Sequence, residues 1–216
     1  MKKIASPLFQ DLSEAELDTL AAAGHLRTRQ FAKHEVIFRA GSCVREIGIV
    51  LRGSVHIENL DLWGTKSILS SAGAGQAFAE TYAFCGEALM VDAVAAEHCE
   101  ILFLHTAAFT DARIEPALQD KLLRRLLAVS MRKNLSLSQR IFCTTPKTVR
   151  GRLLTYFSAQ AARCGRIEFE VPFNRQQMAD YLNLDRSALS KELCKMRDEG
   201  LLEFDKNRFV LKQLPE

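Results

Sequence analysis

The sequence has no CxxC pair, no glycine-rich phosphate loop and no apolar run near the ~18 residues that a membrane helix needs. Its six cysteines stand at 43, 85, 99, 143, 164 and 194, never closer than fourteen residues. Metal clusters and disulfide scaffolds use tighter groupings, so these thiols read as reduced and mostly buried. GxGxxG and GxSxG are missing too, which leaves dinucleotide chemistry and the serine-hydrolase elbow without support. None of the five histidines (25, 34, 56, 98 and 105) has the His-x-His spacing of a cupin-type metal enzyme. The chain is therefore not expected to be an enzyme. Met1-Lys2-Lys3 is basic, but Ser6, Pro7 and Gln10 break up the stretch after it, so no apolar run forms there. No signal peptide and no membrane partner are expected, and the expected location is cytoplasmic.

The residues present fall into three parts: 1–110, 111–143 and 144–216. The first carries nine basic and thirteen acidic residues, the second seven and three, the third thirteen and ten. A polyanion would meet the basic back half. In the first part, residues 8–23 predict a short helix, with Ser13 as N-cap and Glu16 completing a capping box. From about 26 to 106, short runs rich in Val, Ile and Phe alternate with glycines at 41, 53, 64, 73, 75 and 86. That texture predicts an antiparallel sandwich or barrel. Asp61-Leu62-Trp63-Gly64 reads as a hairpin tip.

Residues 113–142 hold no glycine, and their one proline, Pro116, suits a first helical turn. Leu122, Leu126 and Val129 form one apolar stripe. Leu123, Leu127, Leu137 and Ile141 run beside it. Two stripes on one helix call for two partners, the chain's own sheet domain and a second copy; a single wide stripe buried within a monomer is the alternative. Thr145-Pro146 then predicts a new helix, continued by Val149, Leu153 and Phe157.

The segment 173–204, FNRQQMADYLNLDRSALSKELCKMRDEGLLEF, predicts two helices and the start of a hairpin. Asn174 caps the first, with Gln177 reaching back. Met178 and Leu182 face inward, and Ala179 is small enough for a close helix crossing. Asn183 suits a turn at positive φ. Asp185 caps the second helix, whose buried side is Leu189, Leu193 and Met196. Its outward side carries Arg186, Ser187, Ser190 and Lys191, residue types that reach base edges and phosphates. After Gly200 a hairpin with Lys206-Asn207 at its tip would form a wing.

This segment, the stretch FAKHEVIFRAGSCVREIGIVLRGSVHI and the long helix between them resemble the Crp/Fnr regulators, in the same order along the chain. The resemblance implies an α+β fold: an N-terminal jelly-roll β-barrel of cyclic-nucleotide-binding type, a long dimerisation helix, and a C-terminal winged helix-turn-helix. It implies a homodimer on duplex DNA with a pseudo-palindromic operator, and it leaves room for RNA polymerase as a partner. Arg186, Ser187, Ser190 and Lys191 match base-reading positions, and Arg175 and Gln176 match positions near the phosphate backbone. Lys206 joins them from the wing.

The sensor half departs from the cyclic AMP receptors it resembles. Their pocket reads F-G-E-L, followed by an Arg and a hydroxyl partner. The matching stretch is FAETYAFCGEALMVDAVAAE. Glu80 is kept, but Met90 and Val91 replace the phosphate-binding pair, and Leu137 beside Ser138 replaces a hydroxyl on the helix. A buried phosphate without such donors is poorly compensated. The expected effector is an unidentified small molecule other than cyclic AMP. Its candidate lining is Glu80, Thr81, Tyr82, Phe84, Met90, Val91, Leu137 and Ser138, with core filling as the competing role. No cofactor is expected. An iron–sulfur group would need cysteines near the N-terminus, and the first is Cys43. His98 and Cys99 are neighbours on a strand and face opposite ways, which disfavours haem. A regulator without a ligand, constitutive, partner-controlled or switched through Cys43, Cys85 or Cys99, is the alternative.

Overall fold

A computed structural model describes residues 4–60 and 66–212; the hairpin tip expected at 61–64 lies outside them. The described chain divides into two compact units, Met1–Arg132 and Lys133–Glu216. That division falls inside the long helix, which composition sets apart as a segment of its own.

In the first unit, α1 (Glu14–Ala22) starts at the expected capping box. The Ser13 hydroxyl accepts from Glu16 N–H while the Glu16 carboxylate accepts from Ser13 N–H at 2.8 Å. Eight strands come after it: β1 (Leu26–Phe31), β2 (Val36–Phe38), β3 (Glu46–Arg52), β4 (Ser54–Leu60), β5 (Lys66–Gly73), β6 (Ala77–Phe78), β7 (Asp92–Ala95) and β8 (Cys99–His105). They form two antiparallel sheets of four, ordered β1-β8-β3-β6 and β2-β7-β4-β5. Both sheets contribute to one core of Phe31, Val50, Val55, Ala72, Phe78, Ala93, Ala95, Ile101 and Phe103. This is the jelly-roll expectation met as two packed sheets.

Strand β8 shows why its sequence reads as continuously apolar. Its odd residues, Cys99, Ile101 and Phe103, face the interior between the sheets. Its even residues, Leu102 and Leu104, face a second core with Leu17 and Leu20 of α1. A strand buried on both faces loses the usual alternation. Gly48 of β3 is required for closeness: a Cβ there would collide with the Phe78 ring. Between β6 and β7 lies the short helix α2 (Glu80–Cys85).

The long helix α3 (Pro116–Thr144) begins at the expected proline. Leu118, Leu122 and Leu126 enter the core beneath α1. The second stripe stays uncovered: Leu123 is 47% exposed, Leu127 55%, Leu137 60% and Ile141 66%.

In the second unit, α4 (Val149–Cys164), β9 (Glu168–Glu170), α5 (Arg175–Leu182), α6 (Arg186–Asp198), β10 (Leu202–Asp205) and β11 (Arg208–Leu211) share one core. The strands form a sheet ordered β10-β11-β9. The helix expected to start at Thr145-Pro146 starts later. Thr145 instead closes α3, its N–H and hydroxyl both donating to Ile141 O at 2.9 and 2.8 Å. Pro146 disfavours helical backbone in the residue before it. Thr148 is the actual cap of α4, accepting from Gly151 N–H at 3.0 Å.

Candidate nucleic-acid interface

Helix α5 is set by its own ends. Asn174 and Gln177 form the expected capping box, with both bonds at 2.9 Å. Asn183 closes the helix at φ 52°, ψ 54°, the left-handed turn for which Asn is suited. Met178, Ala179 and Leu182 are buried. The chain then re-enters helix at Asp185, whose carboxylate accepts from Ser187 N–H and Ala188 N–H at 2.8 and 3.0 Å. The Ser187 hydroxyl bond, joined by these two N–H groups, holds the Asp185 carboxyl below the usual range. Leu189, Leu193 and Met196 bury the inner side of α6.

Arg186, Ser187 and Lys191 stand exposed on the outward side, and Ser190 is half-buried. Arg186 and Lys191 make no ion pair or side-chain hydrogen bond among the described residues. Both cations are therefore available to a polyanion. Ser187 already donates its hydroxyl proton to Asp185, so it offers an outside partner only acceptor lone pairs. Lys206 is exposed at the hairpin tip at φ 50°.

Two residues expected near phosphates are otherwise engaged. Gln176 donates to Asp180 at 2.9 Å along its own helix. The Arg175 guanidinium lies over Phe204 and Phe209, 4.9 and 5.1 Å from the ring centroids. Half-buried there, it has its pKa lowered by desolvation. Arg175 thus ties the start of α5 to the wing. Together with Phe173, Asn174, Lys206 and Asn207 it lines an open groove of about 450 Å³.

The basic residues that fix α5 and α6 leave no signal in the sequence. Arg150 of α4 reaches Glu192 at 2.5 Å and Glu199 at 2.8 Å, both on or at the end of α6. Arg140 of α3 and Arg152 of α4 donate to backbone carbonyls at the end of α5. An isolated Arg in a helical pattern carries no sign of a partner forty residues away.

The sensor candidates are placed less uniformly. Glu80 is buried at the start of α2, and Ala79 before it adopts φ 61°, where the resembled motif has glycine. Tyr82 and Val91 are half-buried, and Thr81 is exposed. Phe84 and Met90 are 50% and 77% exposed, so neither fills the core. Phe84 packs edge-on against Phe109 at 5.5 Å. The interior is occupied instead by Phe31, Phe38, Phe78 and Phe103, with neighbouring centroids 5.6–6.1 Å apart. Leu137 and Ser138 are exposed and belong to the second unit.

Residues 28–113 match the family model of the cyclic nucleotide-binding domain, and residues 151–216 match that of the Crp-like helix-turn-helix domain. The chain belongs to the Crp/Fnr family. The catabolite activator protein of Thermus thermophilus is 25% identical, with 96% of this chain and 94% of that chain covered and a TM-score of 0.50. FixK2 from Bradyrhizobium japonicum shares the fold at 19% identity and TM-score 0.52, with 87% and 93% covered. CprK complexed with OCPA shares it at 14% identity and TM-score 0.64, with 92% and 89% covered. No curated protein sequence matches significantly. This Crp/Fnr protein is a DNA-binding transcription regulator with a domain of the type that receives effectors. No helix among its described residues is long and apolar enough to cross a membrane.

Proposed function

We propose that this regulator acts as a cytoplasmic homodimer on a pseudo-palindromic operator, placing one α6 in the major groove of each half-site. The observation that carries this reading is the outward face of α6, where Arg186, next to the Asp185 cap, and Lys191 further along have no ion pair among the described residues. A helix start with free cations suits a groove lined by phosphates and base edges. Arg186, Ser187, Ser190 and Lys191 read bases in this proposal, and Lys206 meets the backbone. Arg175 and Gln176 shape the surface from behind. RNA polymerase is the partner through which an activator of this kind would work.

The effector in this proposal is a small molecule other than cyclic AMP. Met90 and Val91 offer no charge to a cyclic phosphate, and Met90 lies in solvent. A thermal-shift screen tests the effector. Stabilisation by a non-nucleotide ligand supports it, and stabilisation by cyclic AMP at micromolar concentration overturns it. The aromatic packing of Phe31, Phe38, Phe78 and Phe103 favours a second reading, in which the interior takes no ligand and a protein partner or thiol chemistry controls the regulator. A screen without any stabilising ligand supports that one.

Selection from a randomised duplex library tests DNA binding. The expected consensus has two inverted half-sites about one helical turn apart. Enrichment of a single, unpaired site would remove the dimeric reading, and no enrichment with or without effector would remove the DNA-binding one.

A further inference from the structure

A helix ends with carbonyls that have no partner of their own, and they carry the negative end of its dipole. At the end of α5 the carbonyls are taken by arginines from the two preceding helices, with Asp180 O also accepting from Asn183 N–H at 3.3 Å. Arg140 of α3 donates Nε to Tyr181 O at 3.0 Å and Nη2 to Asp180 O at 2.9 Å. Arg152 of α4 donates Nη1 to Leu182 O at 3.1 Å and to Asn183 O at 2.7 Å. Four consecutive carbonyls, 180 to 183, are thus held by two guanidinium groups. They end at the left-handed Asn183, which closes α5.

The two arginines differ in what they connect. Arg152 also donates Nε to Pro146 O at 2.8 Å, so it serves the segment between α3 and α4. Arg140 sits on α3 itself, four residues before its end, with its guanidinium 5.9 Å from the Tyr181 ring. The backbone between the two helices, 145–148, is not helical, and single bonds hold it: Thr145 N–H to Ile141 O at 2.9 Å and Arg152 Nε to Pro146 O at 2.8 Å. Such a linker alone would pass little direction from α3 to the helices beyond it. A guanidinium fork that bonds two carbonyls in one plane fixes orientation as well as distance.

We infer that Arg140 is a positioning residue for DNA binding: it joins the last turns of α3 to the turn of the helix-turn-helix, so that the direction of α3 sets the direction of α6. The inference deepens the DNA-binding reading and rests on it. Arg140 then acts without touching DNA. It carries any reorientation of the long helix past the 145–148 linker.

The test compares wild type, Arg140→Gln and Arg140→Lys on the duplex selected by the wild type and on a scrambled duplex, across a salt series. Arg140→Gln is expected to weaken the selected duplex tenfold or more while leaving the scrambled duplex and the salt slope unchanged. Arg140→Lys, which keeps the charge but loses the fork, should fall between them. Amide exchange, read in the same variants, should quicken at Asn183 and Leu184 and stay unchanged in β9–β11. A salt slope reduced by about one would make Arg140 a phosphate ligand and overturn the inference. Equal loss on both duplexes with a lowered melting temperature would assign it to stability alone, and unchanged exchange at Asn183 and Leu184 would remove the cap. A wild type that selects no duplex would instead remove the reading beneath it, an outcome the exchange data keep distinct.

Discussion

Asp111 gathers partners from both ends of the first unit. Arg113 donates Nη2 to its carboxylate at 2.6 Å, and His25 Nε2 lies 2.7 Å away. Arg113 also reaches Ala23 O, and Gln119 of α3 donates to Asp111 O at 2.8 Å. The cluster ties the junction of α1 and β1 to the start of α3. The Arg113 guanidinium, then the Arg113 N–H, then His25 hold the Asp111 carboxyl well below the usual carboxylate range. A carboxyl lowered by folding stabilises the native state above its unfolded pKa, and the contribution is lost as pH falls through the folded one. Asp111→Asn should therefore melt earlier than wild type at pH 7. The gap should close as acid is added below about pH 4, where an ordinary carboxylate protonates. Thermal melts from neutral pH to about pH 2.5 check this. Two curves that stay parallel would place the acid-sensitive group elsewhere.

Among the secondary-structure elements, α6 and the wing divide the labour of recognition in the proposed complex, and the two can be separated. Lys206 is a flexible point charge at a hairpin tip, suited to phosphate. Lys206→Ala should weaken all duplexes alike and lower the salt slope by about one. Arg186 at the start of α6 faces outward beside the cap. Arg186→Ala should cost about 1–3 kcal/mol on the selected duplex and relax preference at one position of each half-site. Binding isotherms on a panel of single-base variants across salt read both effects, and exchanged phenotypes would reverse the assignment. These two elements are legible in the sequence because their signals are local. Asn174 with Gln177, Asn183, and Asp185 with its inner Leu189, Leu193 and Met196 each act within about three turns. The start of α4 is misleading in the sequence because two threonines compete. Pro146 makes Thr145 a helix end, while Thr148 has Gly151 at the distance a cap needs. Arg175 looks free for phosphate because nothing nearby announces Phe204 and Phe209. Phe84 and Met90 pass for interior residues because an apolar letter does not say which side of a short loop it leaves.

At the scale of the whole molecule, the uncovered stripe of α3 bears on the proposed dimer. Leu123, Leu127, Leu137 and Ile141 follow alternating spacings compatible with a coiled-coil seam, interrupted by Ser130 and Asn134. Leu123, Leu127, Met131, Leu135, Leu137, Ile141 and Phe142 are all exposed in the single chain. An apolar surface of this length along one helix is uncommon on a protein that stays alone. Fully burying a large apolar side chain is worth about 1.5–3 kcal/mol, and these are already about half covered. Two copies of the stripe would then supply on the order of 10 kcal/mol, set against association costs of about 4–15 kcal/mol. The margin is small, so one charge in the seam should tip it. In the proposed dimer the partnership would be symmetric, so a substitution at 127 would enter twice. Leu127 lies on the outer side of α3, away from the core residues Leu122 and Leu126, so Leu127→Lys should leave the chain folded. Sedimentation should find the wild type at twice the chain mass and the variant at one chain mass, with matching circular dichroism. Binding to a single half-site should survive in the variant while cooperative binding to the full operator is lost. A wild type that sediments as one chain would leave the stripe without its proposed partner, and the spacing of any selected half-sites would then need another cause.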